Sequence, residues 1–261
     1  MSDSILLIEE FGPVMRLTIN RPKAMNALNR ALLRELDAAL DAIEARGNVR
    51  TLILTGTGAA FCAGADLKEA MALEPDAAGT PDFIDQCNLV MHRLRTLDLP
   101  VIAALNGVTM AGGLELAMCA DIVIAGQSAK IGDAHANFGV YPGAGGAAIL
   151  PRLIPLNMAM YLLFTGKTLS AQQMQALGLV AEVHADELLA DAALKLANLI
   201  AAKSPAALRR MKQVARSSAD KSRDDALLHE QVMFREHMRS ADLQEGLAAF
   251  AEKRPPQFSG R

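Results

Sequence analysis

Residues 100–125 read PVIAALNGVTMAGGLELAMCADIVIA. Their first six residues form an apolar run of the length of a buried strand, and residues 106–113 form a loop carrying Gly107, Gly112 and Gly113. Residues 114–119 begin a helix, and 122–125 are a second apolar strand. This strand, loop, helix, strand order is an α/β alternation. The same order precedes it: a short strand at 51–55, a glycine-rich loop at 56–66 and a helix from 82 to 96 that leads into Pro100. Further out, residues 4–8 and 14–19 read as strands on either side of the Gly12-Pro13 turn signal. Asn29 caps a helix whose Leu32, Leu33, Leu36, Leu40 and Ile43 recur at three- and four-residue steps up to about Gly47. Downstream, residues 129–146 read as irregular, and the string Tyr141 to Gly146 opens a helix ending near Leu153. From Ser170 onward the pattern is helical with few strand signals; Ser170, Asp186 and Ser204 are plausible N-caps, and Pro205 suits a first turn. The expected division is an α/β core over residues 1–195 and a helical tail over 196–261.

Of the 261 residues, 51% are hydrophobic and 21% charged, which excludes disordered and fibrous classes. A formal charge of −3, made of interspersed Lys, Arg, Asp and Glu, provides no large basic field, so neither nucleic acid nor an anionic membrane is an expected partner. Cys62, Cys87 and Cys119 lack CxxC spacing and are an odd number, so they are expected to be reduced thiols. With no basic leader in MSDSILLIEE and no long apolar run, the sequence reads as a soluble, cytoplasmic protein. Cysteine and histidine spacing offers no metal cluster and no dinucleotide fingerprint is present, so no permanently bound cofactor is expected.

Two loops carry the chemistry. Residues 61–68, FCAGADLK, leave a strand through small residues that let backbone N–H groups approach a ligand. Taken alone, this is as readily a tight turn. The loop at 106–115, NGVTMAGGLE, also leaves a strand and exposes N–H groups at a helix start, and two converging donors would make an oxyanion hole. Glu115 lies in an otherwise apolar first turn, where a carboxylate is costly to bury without a partner or a task. It reads either as a dipole-favoured acid or as a general acid–base; burial would raise its pKa and the helix N-terminus would lower it.

The strings NRPKAMNAL (20–28), LTGTGAAFCAGADLKE (54–69), PVIAALNGVTMAGGLELAMCADIVIA (100–125), FGVYPGAGG (138–146), FTGKTLSAQ (164–172) and FAEKR (250–254) resemble the enoyl-CoA hydratase/isomerase (crotonase) superfamily, in its order and at about its spacing. The resemblance runs nearly end to end. It implies a spiral of ββα turns followed by a C-terminal helical trimerisation region, and assembly as a homotrimer or homohexamer. It implies a thioester carbonyl held between the N–H groups of Ala65 and Gly112, with Glu115 catalytic, and coenzyme A present only as part of the acyl-CoA substrate. Lys23, Ala24, Ala63, Ala65, Asp66 and Leu67 then correspond to the CoA side of the site, Phe250 to an apolar nucleotide contact and Lys253 to a phosphate contact, often across a subunit boundary. Residues 71–85 are expected to line or cover the acyl tunnel.

The departure from the family is at His135. Hydratases carry a second glutamate about twenty residues after the first, in a G-x-x-E-x-x-x-G segment; this chain reads GDAHANFG over 132–139. Imidazole titrates near neutrality and can hold water or move a proton, and Asp133 stands two residues away to orient it. The expected function is reversible hydration of a 2-enoyl-CoA through an oxyanion-hole-stabilised thioester enolate. Isomerisation, decarboxylation or carbon–carbon hydrolysis through the same enolate are the alternatives His135 leaves open; a binding protein of this fold with little catalysis is a further alternative, which the retained Glu115, Gly112 and AGAD loop speak against.

Overall fold

The computed structural model describes residues 4–70 and 82–260. Most of the expectation for residues 71–85 therefore lies outside the described residues. The hairpin forms from β1 (Leu6–Phe11) and β2 (Val14–Ile19), paired antiparallel around Gly12-Pro13. The helix Arg30–Arg46 starts where Asn29 accepts the Leu32 N–H in its side-chain oxygen, and stops at Gly47 in the left-handed conformation. The chain then alternates between two sheets. It leaves β3 (Thr51–Gly56) for β4 (Ala60–Cys62), β5 (Val101–Leu105) for β6 (Val108–Met110), and β7 (Ile122–Gly126) for β8 (Lys130–Gly132). β9 (Thr168–Ser170) and β10 (Glu182–His184) complete the sheets. The large sheet runs β1-β2-β3-β5-β7-β10 and the small one β4-β6-β8-β9. Pairing is parallel except for β1 with β2 and β8 with β9. Each turn of the spiral is thus a strand in the large sheet, a strand in the small one, and a helix.

Three strands were hidden in segments that read as loops or as irregular chain: β4, β6 and β8. Each has only three residues, too few for a period-two signal, and the glycines around them read as turn chemistry. The large sheet shows its period clearly. Leu52, Leu54, Val101, Ala103 and Leu105 face the main core with Leu33, Leu36 and Leu40 of the first long helix, whereas Ile53, Ile102, Ala104 and Ile124 face the opposite side. That second face is sealed by Leu189, Ala193, Ala197 and Ala201 of the helix Leu189–Ala201. Burial on both faces is why these strands read as continuous apolar runs.

Residue 195, where the sequence suggested a division, lies inside this sheet-covering helix, which ends at Ala201. Ser204 caps the helix Pro205–Ser218 and Ser170 caps Ala171–Ala176 with a reciprocal capping box. Asp186 is not a cap. It follows the capping position, and its carboxylate instead accepts the Ser128 N–H at 3.0 Å, tying the loop after β7 to the turn after β10. Helices Arg223–His237 and Ala241–Glu252 complete the tail. Among the described residues no helix is long and apolar enough to cross a membrane. The three cysteines are free and buried, and burial pushes each thiol up to about 12.

Candidate active site

β4 and β6 are neighbours in the small sheet, pairing Ala60 with Val108 and Cys62 with Thr109, so the loops leaving them run side by side. Ala65 forms a parallel bridge with Leu28: the Leu28 N–H donates to Gly64 O at 2.8 Å and the Asp66 N–H to Leu28 O at 2.7 Å. Because the residues flanking Ala65 make those bonds, its own N–H is turned the other way. Gly112 opens the helix Gly112–Ala117, where the first N–H groups have no intrahelical acceptor. A Cβ built on Gly112 would stand 3.4 Å from the Ala65 nitrogen, so the two amides flank one narrow gap. Ahead of Gly112, Ala111 is held at φ 50 and ψ −121, a conformation costing about 1 to 3 kcal/mol, with its N–H bonded to Gly132 O at 3.1 Å.

Glu115 is 3% exposed, three residues into this helix. Its Oε1 accepts the N–H groups of Ala144 at 2.9 Å and Gly146 at 2.8 Å. The other oxygen has no hydrogen-bond partner among the described residues and is left to the cavity that Glu115 lines. The string Pro142 to Gly146 thus serves as a backbone clamp on the carboxylate. Gly146 is required by proximity, since a Cβ there would lie 2.7 Å from Asp133 Oδ2 and 3.3 Å from Glu115 Oε1.

His135 begins a short 3-10 turn, His135–Phe138, directly after β8. Its ring Nδ1 lies 2.8 Å from Asp133 Oδ1, and its backbone N–H donates to the same oxygen at 3.1 Å. Burial works against charging this imidazole, but the hydrogen bond and charge of Asp133, together with the charge of Glu115, outweigh it and raise its pKa above 6.5. His135, Glu115, Ala65 and Gly112 line one cavity of about 360 Å³, whose wall is apolar: Leu28, Phe83, Met91, Met110 and Val140. Phe138 and Tyr141, large and exposed, line it too.

The residues expected on the CoA side divide between two joined loops and the end of the helical tail. Lys23 and Ala24 lie on the turn Pro22–Ala24, and the Met25 carbonyl accepts the Ala63 N–H at 3.0 Å, joining the two loops. Ala63 and Leu67 line the cavity, while Lys23 is exposed. Asp66 pairs with Arg21 at 3.0 Å, and Arg21 also donates to the Ala27 carbonyl, so this carboxylate fastens loops together. Phe250, 86% exposed, and Lys253, in the left-handed conformation after the last long helix, do not line the cavity of their own chain. Sequence reasoning missed the Ala144 and Gly146 donors, which carry no side-chain signature, and the wall residues Cys87 and Met91, which read simply as a helix face; Phe83 and Ile84, from the stretch expected to line the acyl tunnel, do line the cavity.

A family model described as enoyl-CoA hydratase/isomerase matches residues 9–261. The chain belongs to the enoyl-CoA hydratase/isomerase family. It is 38% identical over 258 residues to 2,3-dehydroadipyl-CoA hydratase of Escherichia coli, covering 99% of this chain and all of that protein. It is 38% identical over 250 residues to short-chain-enoyl-CoA hydratase of Clostridium acetobutylicum, covering 95% of each. The crystal structure of enoyl-CoA hydratase from Bacillus anthracis superimposes with a TM-score of 0.91 at 35% identity, over 99% of this chain and 100% of that one. Within the enoyl-CoA hydratase/isomerase family the ββα spiral is the fold the sequence led us to expect, and the chain is an enzyme of the hydratase-like lyase kind.

Proposed function

We propose that the protein adds water reversibly across the double bond of a 2-enoyl-CoA, with coenzyme A entering and leaving as part of the substrate. The observation that carries this reading is the arrangement of two N–H groups with no acceptor among the described residues, those of Ala65 and Gly112, in the same apolar cavity as the clamped Glu115 carboxylate. The thioester oxygen accepts both N–H groups. As water attaches to C3, Glu115 takes its proton, and the double-bond electrons move through C2 onto the carbonyl oxygen as an enolate. Fixed amide dipoles meet that charge without reorganising, an effect worth about 100 to 1,000-fold in rate per donor. Proton delivery to C2 completes hydration, and the protonated His135 is the group we assign to it. The apolar wall accepts the acyl chain, and the loops bearing Lys23, Ala24, Ala63, Asp66 and Leu67 face the CoA portion.

The helical tail, from residue 196, serves in our reading as the oligomerisation region of a homotrimer or homohexamer, in which Phe250 and Lys253 meet the CoA bound to a neighbour. The three free thiols are compatible with a reducing compartment, and we assign the enzyme to the cytoplasm. A panel of 2-enoyl-CoA thioesters followed by mass analysis tests the reaction: at least one gains the mass of a water. Glu115→Gln lowers that turnover at least about 100-fold with CoA affinity little changed, as expected for loss of a general acid–base. Full activity in Glu115→Gln would remove the mechanism.

A further inference from the structure

Asp133 is a carboxylate with 1% exposure at the end of β8, and burying such a charge is costly unless it is paired. Among the described residues its hydrogen bonds all go to His135: Oδ1 receives the backbone N–H and faces ring Nδ1, while Oδ2 has no partner there and lies against Gly146. Its one ion-pair partner among the described residues is likewise His135. An ionised carboxylate only accepts, so Nδ1 must carry a hydrogen, and Nε2 is the ring nitrogen left for the cavity that His135 lines. Building on the hydration reading above, we propose that Asp133 is the positioning residue that fixes His135 with Nε2 toward the substrate, making its imidazolium the acid that protonates C2 of the enolate.

In that step the Nε2–H bond breaks, its electron pair stays on the ring, and the new C–H bond takes the enolate electron pair while the carbonyl re-forms. The neutral imidazole regains a proton from the one Glu115 took from water, passed through solvent. The site that results is an imidazolium flanked by two carboxylates, where the standard hydratase has two carboxyl groups. The groups facing His135 are few. Asp133 and Glu115 both favour its charged form. The Cys87 thiol in the cavity wall is pushed up to about 12 and is neutral. Tyr141 lines the same cavity, and Tyr161 is the ionisable side chain of the helix Leu156–Thr165 that packs on the His135–Phe138 turn.

The sign of the pH effect follows. An acid must be protonated, so activity falls as pH rises through the His135 pKa; removing the Asp133 charge lowers that pKa and moves the alkaline limb to lower pH. Imidazole nitrogen-15 NMR of the wild-type protein comes first. At high pH the neutral ring of His135 is expected as the Nδ1–H tautomer, and an Nε2–H tautomer overturns the proposal even if no variant folds. In Asp133→Asn, which keeps the shape and loses the charge, the His135 titration drops by at least about one pKa unit. The alkaline limb of kcat moves with it, and KM changes little. Asp133→Glu restores the limb toward wild type. A titration unmoved in Asp133→Asn, or one that moves while the activity limb stays, rejects the assignment, as does a uniform loss of activity across pH. A wild-type protein that hydrates no enoyl-CoA would instead sink the hydration reading and the proton transfer with it, while the NMR titration would still decide whether Asp133 sets the state of His135.

Discussion

The backbone around Gly112 does two jobs that a side chain would spoil. Its N–H is offered to a ligand beside Ala65, and a Cβ there would stand 3.4 Å from the Ala65 nitrogen, in the space between the two donors. Gly112 is also the first residue of its helix, so proline there breaks no helical hydrogen bond but restricts Ala111, which sits at φ 50 and ψ −121. Gly112→Pro is therefore expected to remove one donor and to disturb the loop before it, and hydration falls by at least about 100-fold, with circular dichroism as the folding control. Wild-type activity in a folded Gly112→Pro protein would mean that the carbonyl is held elsewhere. How legible the site was divides along the same line between side chains and backbone. Glu115 stood out because a carboxylate in an apolar turn demands a reason, and His135 because it stands where the family has an acid. The clamp from Ala144 and Gly146 was hidden, because a backbone donor has no letter in the sequence and PGAGG reads only as flexibility. Asp133 was visible, but its direction was not: on an irregular stretch no periodicity says where a side chain points.

At the scale of elements, the long amphipathic helices and the hairpin were legible, since Asn29, Ser170 and Ser204 cap where their side chains can accept a backbone N–H. The small sheet was not, and it is the element that assembles the site. Its strands owe their existence to tertiary pairing, β4 on β6 and β6 on β8, and to the close approach of the helix Gly112–Ala117. Gly113 shows how tight that approach is: a Cβ there would fall 1.9 Å from the Cys62 carbonyl oxygen, so the helix sits directly on β4. Because the obstacle is backbone, Gly113→Ala forces helix and strand apart and is expected to cost about 3 kcal/mol, at the upper end of ordinary overpacking. Thermal unfolding measures it, as a Tm lowered by roughly 10 °C for a chain of this size. Gly246→Ala is the contrast. It lies inside the helix Ala241–Glu252, with the nearest obstacle at 3.6 Å, so the substitution is expected to raise stability by about 0.5 to 1 kcal/mol. Equal effects at the two glycines would mean that helix and strand are not locked in the way described.

At the scale of the whole molecule, the tail exposes more apolar surface than an isolated chain has use for. The helix Arg223–His237 buries none of its residues, and Leu227, Leu228, Val232 and Phe234 on it are exposed, as are Met211 on the neighbouring helix and Met238 just beyond. Helices Pro205–Ser218 and Arg223–His237 pack on each other and leave a groove of about 440 Å³ lined by Met211, Val214, Met233 and Phe234. Contiguous apolar surface of this kind marks an interaction site. Phe250, at the end of the tail, is 86% exposed and away from its own cavity, which suits a residue that completes the site of another copy. Light scattering on the wild-type protein is therefore expected to give three or six times the mass of one chain. The double substitution Leu228→Asp with Phe234→Asp places two carboxylates in the proposed interface and should dissociate it. Neither residue lines the cavity of Glu115 and His135, so the dissociated chain should keep its fold. Its KM for the acyl-CoA should rise more than its kcat falls, because what is lost is a neighbour's contribution to CoA binding rather than the reacting groups. A monodisperse wild-type monomer at micromolar concentration would remove the assembly, and a dissociated variant with unchanged KM would keep the assembly but confine the CoA site to one chain.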